Sequence, residues 1–177
     1  MDNIEIVNLD ADDLSFVKTI AERRQENKSK SGVKSHKWAT NKSELGCNYE
    51  GVITEWAVLT ALGLPMKRME QLFPRGDGGF DFYWGNKKCD VKKLSRTNLG
   101  EVLIINPPGP TADIIIGCRI ATQTRMEIIG VVSAKKFMDT KQEHDFGYGN
   151  RYYIPSDRLS PLSALRSFKA REKPAPT

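Results

Sequence analysis

Two aspartates stand in neighbouring segments whose pattern predicts a β-hairpin. Residues 80–84 and 87–94 both alternate apolar with polar side chains, and the Gly-Asn pair at 85–86 is typical of a two-residue hairpin turn. Counting outward from that turn, Asp81 is predicted to face Asp90. Two opposed carboxylates, roughly 5 Å apart, destabilise a sheet unless their charge is compensated. A divalent cation is the natural compensation, because Mg²⁺ is commonly held by one or two carboxylates and several waters.

A lysine follows on the same predicted strand. Lys92 comes two residues after Asp90, so strand alternation puts its side chain on the face of both aspartates. A cation there would polarise a phosphoryl oxygen and lower the pKa of a bound water, while the lysine would orient that water or offset charge on the phosphate. The spacing therefore indicates phosphodiester hydrolysis, and an exposed ion pair on a hairpin is the structural alternative.

Glu55 is the fourth candidate, because it interrupts the apolar flank of a predicted helix. At about 100° per residue its surface neighbours are all apolar, namely Val52, Val58, Leu59 and Leu62. A buried carboxylate needs a partner. That partner would be a metal, a metal-bound water or, as the structural alternative, an Arg or Lys. Glu50 projects to another side of the helix and is the weaker candidate.

Other residues that could do chemistry have simpler interpretations. Lys93 and Arg96 flank the motif and could hold phosphates, although a solvated strand edge is equally compatible. The two histidines are far apart in sequence, which disfavours a histidine–metal nuclease. Trp84 is predicted in the core, with stacking on a base as the alternative. Three widely spaced cysteines fit neither a disulfide framework nor a zinc site and are predicted to be reduced and mostly buried: Cys47, Cys89 and Cys118.

The composition favours a polyanionic partner outside the membrane. The net charge is +5 and the pI is near 9.1, and phosphates attract such a surface. No apolar run reaches the roughly 18 to 20 residues that cross a bilayer, and the acidic start lacks the pattern of a signal peptide. We therefore expect a cytoplasmic protein. Its 177 residues are predicted to form a single domain over 1–177.

Two helices are predicted on either side of a polar segment. Residues 11–26 carry apolar side chains at helical spacing, with Asp10 or Asp12 as the N-cap. Residues 47–65 are apolar for several turns and end in Gly-Leu-Pro, which stops a helix. Between them, residues 27–44 are rich in Lys and Ser and are predicted to form a mobile basic loop.

The second half of the chain is predicted to supply the sheet. Runs of β-branched apolar residues predict strands at 101–105, 112–120, 126–133 and 150–154. Short helical stretches are predicted at 133–138 and 156–168, and the tail 170–177 is expected to fray. The fold class is therefore α/β, with a central mixed sheet flanked by helices.

The order of these motifs resembles the PD-(D/E)XK nuclease superfamily, which has the restriction-endonuclease-like fold. The similarity covers roughly residues 46–138 and depends on Glu55 in a helix, Asp81 in GDGGFDF, and Asp90-Val91-Lys92 in KKCDVKKL. The resemblance implies metal binding by both aspartates and the Val91 carbonyl. It also implies that Glu55 is a ligand or holds a water, and that Lys92 is the catalytic lysine.

Two residues near the first aspartate of the motif bear on this resemblance. Phe80 stands where the family has a proline before the first aspartate. A second aspartate, Asp77, also precedes the strand and could be the ligand instead of Asp81, although the hairpin register argues for Asp81.

The resemblance implies an Mg²⁺-dependent DNA nuclease similar to small phage and bacterial members, with Mn²⁺ able to substitute. Endonuclease and exonuclease action both remain open, and so does a homodimer that cuts both strands. The alternatives are a catalytically inactive nucleic-acid-binding protein of the same fold and an RNA-directed nuclease. The expected location is the cytoplasm of a bacterium or of a phage-infected host.

Overall fold

Helices and strands alternate along the computed structural model, which describes residues 4–30, 43–66, 69–70 and 79–169. The helices are α1 (Ala11–Lys30), α2 (Glu44–Leu62), α3 (Ala134–Thr140) and α4 (Leu162–Lys169), with a 3₁₀ turn at Ser156–Arg158. The strands are β1 (Glu5–Asn8), β2 (Phe82–Trp84), β3 (Lys87–Lys93), β4 (Ser95–Thr97), β5 (Gly100–Ile105), β6 (Ile114–Ile120), β7 (Arg125–Ser133), β8 (Gln142–Asp145) and β9 (Asn150–Pro155).

The strands form two sheets. The first has five strands in the order β1-β7-β6-β3-β2, and it is mixed because β3 and β6 are parallel while the other neighbours are antiparallel. The second has four antiparallel strands in the order β4-β5-β9-β8. The predicted α/β class with a mixed central sheet and flanking helices is confirmed, but the strand at 101–105 joins the second sheet instead of the first.

Two hydrophobic cores hold these layers together. The larger core lies between α1, α2 and the mixed sheet, and it includes residues of β2, β3, β6, β7 and α4. The smaller core includes Leu94, Leu103, Ile115 and Phe137, and so joins the two sheets to α3. Strand β3 contributes Val91 to the larger core, and its partner strand β6 contributes Ile115 to the smaller one. Buried apolar area on both sides therefore fixes the middle of the mixed sheet.

Helix α1 is longer than the sequence pattern predicted. Its N-terminus is a reciprocal cap, in which the Asp13 amide donates to Asp10 Oδ1 at 2.9 Å and the Asp10 amide donates to Asp13 Oδ2 at 3.0 Å. Asp10 is thus the N-cap, and Asp12 is not. The helix continues to Lys30, so the first residues of the predicted basic loop 27–44 are helical.

The end of the predicted loop 27–44 begins helix α2. Ser43 is the N-cap of α2, and its side chain accepts a hydrogen bond from the Gly46 amide at 3.0 Å. Residues 31–42 lie outside the described residues, as does the tail predicted to fray at 170–177. Helix α2 ends as predicted at Gly63, whose φ of 64° suits glycine.

An arginine ties the two sheets together at the ends of β5, β6 and β7. Arg119 Nε and Nη2 donate to the Glu101 carboxylate of β5 at 2.6 and 2.7 Å, and Nη1 donates to Glu127 Oε2 of β7 at 2.7 Å. We call these residues the Arg119 cluster. Each carboxylate has a charge-assisted hydrogen bond, which makes the cluster a cross-link between sheets.

Among the described residues, no helix is both long and apolar enough to span a membrane.

Candidate active site

The hairpin formed by β2 and β3 has the predicted register. Phe82 pairs with Cys89, and Trp84 pairs with Lys87 across the turn at 85–86. The side chains alternate as predicted, because Phe82 and Trp84 are buried while Tyr83 is half exposed. Trp84 lies in the core, and its Nε1 donates to the Leu165 carbonyl of α4 at 2.9 Å. This favours the core interpretation of Trp84 over stacking on a base.

Asp81 lies immediately before β2, one residue beyond the regular ladder. Its amide donates to the Cys89 carbonyl at 2.8 Å, and its Oδ2 accepts the Val91 amide at 2.6 Å. The prediction that Asp81 faces Asp90 thus does not hold as a regular ladder pair, because the Asp81 carboxylate takes the place of a backbone acceptor for the Val91 amide. This short bond fixes the carboxylate at the open end of the hairpin.

Gly79 gives the backbone before Asp81 a conformation and a close contact with Thr111 that suit glycine. Its φ is 77°, which glycine adopts readily, and its carbonyl accepts the Thr111 hydroxyl at 2.7 Å. A Cβ at this position would lie 2.2 Å from Thr111 Oγ1. A larger residue at Gly79 would therefore displace the segment that carries Asp81. The alternative ligand Asp77 lies outside the described residues.

Asp90 and Lys92 lie together on one face of β3. Lys92 Nζ is 2.8 Å from Asp90 Oδ1 and 2.7 Å from Oδ2, so the ammonium bridges both oxygens. Asp90 is buried, whereas 42% of the Lys92 side chain is exposed. Val91, which lies between them, packs in the larger core beside α2. Because side chains alternate along a strand, Asp90 and Lys92 face away from α2. The pair thus offers a partly exposed cation held by a buried carboxylate.

Glu55 is held by an arginine from α1. Glu55 is only 3% exposed, and Arg24 binds its carboxylate with both terminal nitrogens: Nη1 lies 2.7 Å from Oε2 and Nη2 lies 3.2 Å from Oε1. Arg24 Nη2 also donates to the Met69 carbonyl at 3.2 Å. The structural alternative for Glu55, an ion pair with an arginine, is therefore present. A carboxylate retains further lone pairs, so this contact is compatible with a role at the site.

The remaining candidates lie at the edge of the site. Lys93 Nζ is 3.0 Å from Glu50 Oε2 of α2, so Glu50 pairs with Lys93 and projects to another side of the helix than Glu55, as expected. Arg96 is exposed on β4, opposite Glu101 of β5. The structure thus places both residues at the surface beside the motif, and their predicted contact with phosphates stays a prediction.

The pKa of Asp81 depends on the charges of Glu55 and Asp90. Burial raises the pKa of Asp81 well above its usual value, and the negative charges of Glu55 and Asp90 raise it further. The Val91 amide and the Lys92 ammonium act in the opposite direction. Glu55, Asp81 and Asp90 therefore share one electrostatic neighbourhood, which we call the Asp81 cluster, and negative charge there opposes ionisation of its central member.

The oxygen atoms of this cluster are of the type that Mg²⁺ prefers. Carboxylates of Asp81 and Asp90 and the Val91 carbonyl come from one hairpin. Over the described ranges, no three His, Cys, Asp or Glu side chains lie close enough to form a metal-binding group by themselves. A cation held by one or two carboxylates would complete its shell with water, as Mg²⁺ commonly does. The donor set therefore fits Mg²⁺ and does not fit a cage made of protein ligands alone.

The described cysteine thiols are buried or partly buried. Cys89 and Cys118 are buried in the mixed sheet, and burial raises the pKa of each thiol to about 12. Cys47 is only partly buried. All three are unpaired with one another, as the sequence predicted. His144 lies in an aromatic cluster with Phe146 and Tyr153, while His36 lies outside the described residues.

The residue that sequence reasoning missed is Arg24. A signal for it exists in α1, where Val17, Ile20 and Ala21 form the buried stripe. Arg24 continues that stripe by one turn, so its side chain had to point toward α2. A cation on the inner face of α1 and an anion on the apolar flank of α2 were each visible alone. Pairing them required the packing of the two helices.

Comparison with protein-family models, with curated proteins and with solved structures gives no match to this chain. The resemblance to the PD-(D/E)XK superfamily therefore stays a prediction that depends on the motif residues and their order.

Proposed function

We propose that this protein is an Mg²⁺-dependent nuclease that hydrolyses phosphodiester bonds in DNA. The observation that carries the proposal is that one hairpin supplies Asp81, Asp90 and Lys92, each fixed by a short hydrogen bond. Asp81 Oδ2 accepts the Val91 amide at 2.6 Å, and Lys92 Nζ lies 2.8 Å from Asp90 Oδ1. Helix α2 packs on the same hairpin and brings Glu55 into the electrostatic neighbourhood of Asp81. This order of helix, hairpin and strands also supports the finer assignment to a restriction-endonuclease-like core.

Asp81, Asp90 and the Val91 carbonyl would hold the cation. When bound, Mg²⁺ would polarise a phosphoryl oxygen and lower the pKa of a water in its shell. The repulsion that raises the pKa of Asp81 would then be relieved, since a cation offsets the charges of Glu55 and Asp90. A site whose ionisation is disfavoured without a cation is well suited to bind one.

Lys92 would act on the substrate through its exposed ammonium. Asp90 contacts the ammonium with both oxygens, which fixes the position of a side chain that is 42% exposed. A fixed positive charge stabilises the extra negative charge that develops on phosphate during hydrolysis, and it orients an attacking water. The basic net charge of +5 supports a polyanionic substrate.

Cleavage assays with matched variants test this proposal. Supercoiled and linear DNA, double- and single-stranded, and a single-stranded RNA would be incubated with Mg²⁺, Mn²⁺ or EDTA. D90N and K92A are each expected to lower the rate by about 100-fold or more, because each removes a charge fixed at the site. The controls are D139N and K135A, which break an exposed ion pair of the same type on α3.

The outcomes separate the alternatives. Cutting of DNA that EDTA abolishes, with activity lost in D90N and K92A but kept in the controls, supports the proposal. Cutting of RNA but not DNA would favour an RNA-directed nuclease. Salt-sensitive DNA binding by a folded wild type that cuts nothing would favour the inactive binding protein. Sedimentation of the protein with and without DNA would decide the proposed homodimer, and cell fractionation would test the proposed cytoplasmic location.

A further inference from the structure

Tyr83 is an exposed aromatic residue on the hairpin that carries the candidate active site. It is 50% exposed, whereas its neighbours Phe82 and Trp84 are buried in the larger core beside α2. Tyr83 pairs directly with Lys88 of β3, and directly paired residues of an antiparallel ladder project to the same face of the sheet. Tyr83 and Lys88 therefore lie on the face that points away from α2.

The same face carries Asp90 and Lys92. Alternation along β3 puts Lys88, Asp90 and Lys92 on one side of the strand, while Val91 is buried in the larger core on the other side. Residues diagonal to each other across an antiparallel pair lie about 7 to 8 Å apart, which is within reach of an aromatic side chain. Tyr83 is diagonal to Asp90, so the register of the hairpin places its ring beside the candidate active site.

Two neighbours hold the Tyr83 ring in place. The Phe80 ring packs edge-on against it, with ring centroids 4.8 Å apart and an angle of 65° between the ring planes. Lys88 Nζ lies 5.1 Å from the centroid of the Phe80 ring, which is within the range of a cation–π contact. Phe80 is itself buried, so the exposed ring rests on a fixed neighbour.

The surroundings of Tyr83 are basic. Four of the seven residues of β3 are lysines. Lys92 and Lys93 form ion pairs with carboxylates, whereas the Lys88 ammonium lies over an aromatic ring. An aromatic ring beside lysines is typical of surfaces that bind single-stranded nucleic acids, because bases stack on the ring and ammonium groups attract the phosphates. Such stacking requires an unpaired base, since the bases inside a duplex already stack on one another.

We propose that Tyr83 stacks on an unpaired base of the substrate next to the scissile phosphate, and that Lys88 binds the neighbouring phosphate. This inference rests on the proposed function and names its substrate class, which is single-stranded DNA or DNA with an unpaired nucleotide at the site of cleavage. A fully paired duplex offers Tyr83 no accessible base face along its length. The hairpin that supplies the proposed cation ligands would thus also set the preference for unpaired DNA.

Binding to a labelled single strand and to a blunt duplex of the same sequence, both in EDTA, tests the proposal without cleavage. Y83L keeps an apolar side chain against Phe80 but has no ring on which a base can stack. We expect it to bind the single strand about tenfold more weakly than wild type, and the duplex within about twofold of wild type. Y83F and Y83W keep a ring and should bind the single strand within about twofold of wild type.

Y148L is the matched control for the loss of an exposed ring. Tyr148 is 42% exposed and lies between β8 and β9 of the second sheet, away from the hairpin. Its replacement should leave the affinity for both DNAs within about twofold of wild type. An equal loss in Y83L and Y148L would overturn the proposal, because exposed rings would then contribute wherever they lie. Equal weakening of single-strand and duplex binding by Y83L would overturn it too.

The contact assigned to Lys88 is tested by the salt dependence of single-strand binding. K88Q should reduce the salt slope by about 0.7, as the loss of one phosphate contact on a single strand requires. K87Q is the control, because Lys87 precedes Lys88 on the same strand and pairs with Trp84 on the opposite face. Equal slopes for K88Q and K87Q would show that Lys88 does not bind the phosphate.

Photochemical cross-linking locates the stacked base directly. A single strand that contains 5-bromouracil would be irradiated in complex with the wild-type protein in EDTA, and the cross-linked peptide would be identified by mass spectrometry. We expect the cross-link at Tyr83, and its loss in Y83L. Cross-linking that occurs only at other residues would contradict the stacking contact.

Cleavage assays separate this inference from the nuclease proposal, with circular dichroism confirming that each variant is folded. If the wild type cuts nothing but Y83L loses single-strand binding, the stacking contact stands and the nuclease proposal fails. If the wild type and Y83L both cut paired and unpaired DNA at equal rates, the nuclease proposal stands and the stacking contact fails.

Discussion

The Arg119 cluster and the Asp81 cluster both contain enclosed carboxylates, but the charges around those carboxylates differ. In the first, the Arg119 hydrogen bonds lower the pKa of Glu101, and each carboxylate faces a guanidinium. In the second, burial and two neighbouring carboxylates raise the pKa of Asp81. A balanced cluster stabilises the fold, whereas an unbalanced one costs stability, which is typical of residues kept for chemistry. Stability and activity should therefore respond oppositely to mutation of the two clusters.

The largest expected effect is on the balanced cluster. R119A should lower the free energy of unfolding by about 3 kcal/mol, because it leaves Glu101 without its guanidinium and Glu127 with Arg125 alone. Urea denaturation followed by tryptophan fluorescence measures this loss. R125A is the matched control, since it breaks a more exposed ion pair with the same Glu127. A loss no greater than the control's would mean that the Arg119 cluster is not a cross-link.

A smaller effect of opposite sign is expected at the unbalanced cluster. D81N should raise the free energy of unfolding by about 1 kcal/mol in EDTA at neutral pH, because it removes a carboxyl whose ionisation is opposed by burial and by two neighbouring carboxylates. The amide oxygen can still accept the Val91 N–H. Cleavage by the same variant should fall sharply if Asp81 holds the cation. A variant less stable than wild type would show that the carboxylate contributes more through its hydrogen bond than it costs through repulsion.

The pH dependence of these differences sharpens the comparison. The raised pKa of Asp81 means that its contribution to stability is favourable at low pH and is lost as pH rises through the folded value. The advantage of D81N should therefore vanish near pH 3 and grow toward neutrality. Glu101 has a lowered pKa, so its contribution is present above its ordinary value, about 4.3, and is lost as pH falls.

Unfolding of D81N, E101Q and wild type in EDTA from pH 3 to 8 would show these trends. The deficit of E101Q should be largest near neutrality and shrink on acidification, while the advantage of D81N should shrink over the same range. Parallel curves for the two variants would contradict the distinction between the clusters.

The smallest effect concerns a pair that belongs to neither cluster. K135A should change the free energy of unfolding by no more than about 0.5 kcal/mol, because Lys135 and Asp139 are both well exposed on α3. Thermal unfolding in low and high salt checks this value. A loss comparable to that of R119A would mean that exposure is a poor guide to the strength of ion pairs in this protein.

Local signals predicted the hairpin and α2 well. The turn at 85–86 set the pairing of Phe82 with Cys89, and Gly63 set the end of α2, because both depend on backbone preferences of nearby residues. The strands β4 and β8 were missed. Residues 95–97 and 142–145 are short and polar, and they are strands only because β5 and β9 pair with them.

The division into two sheets depends on contacts that no local pattern contains. The apolar run at 101–105 suits a core strand of either sheet, and its pairing with β9 decides the matter. The acidic residues near the start of the chain gave no strand pattern, so β1 was not predicted. Its position is fixed by pairing with β7. The candidate site shows the same limit, since Asp90 and Lys92 follow from strand alternation while the partner of Glu55 comes from a different helix.

The bond from Trp84 to Leu165 has a consequence for when the protein becomes competent during its own synthesis. The two residues are 81 positions apart in the chain, so the hairpin leaves the ribosome long before α4 can cover its underside. Until then Trp84 lacks both its hydrogen-bond acceptor and part of its apolar enclosure. We expect stalled nascent chains to lack the proposed cleavage activity until α4 has emerged. The proposed activity would thus be absent from the growing chain until α4 has been made.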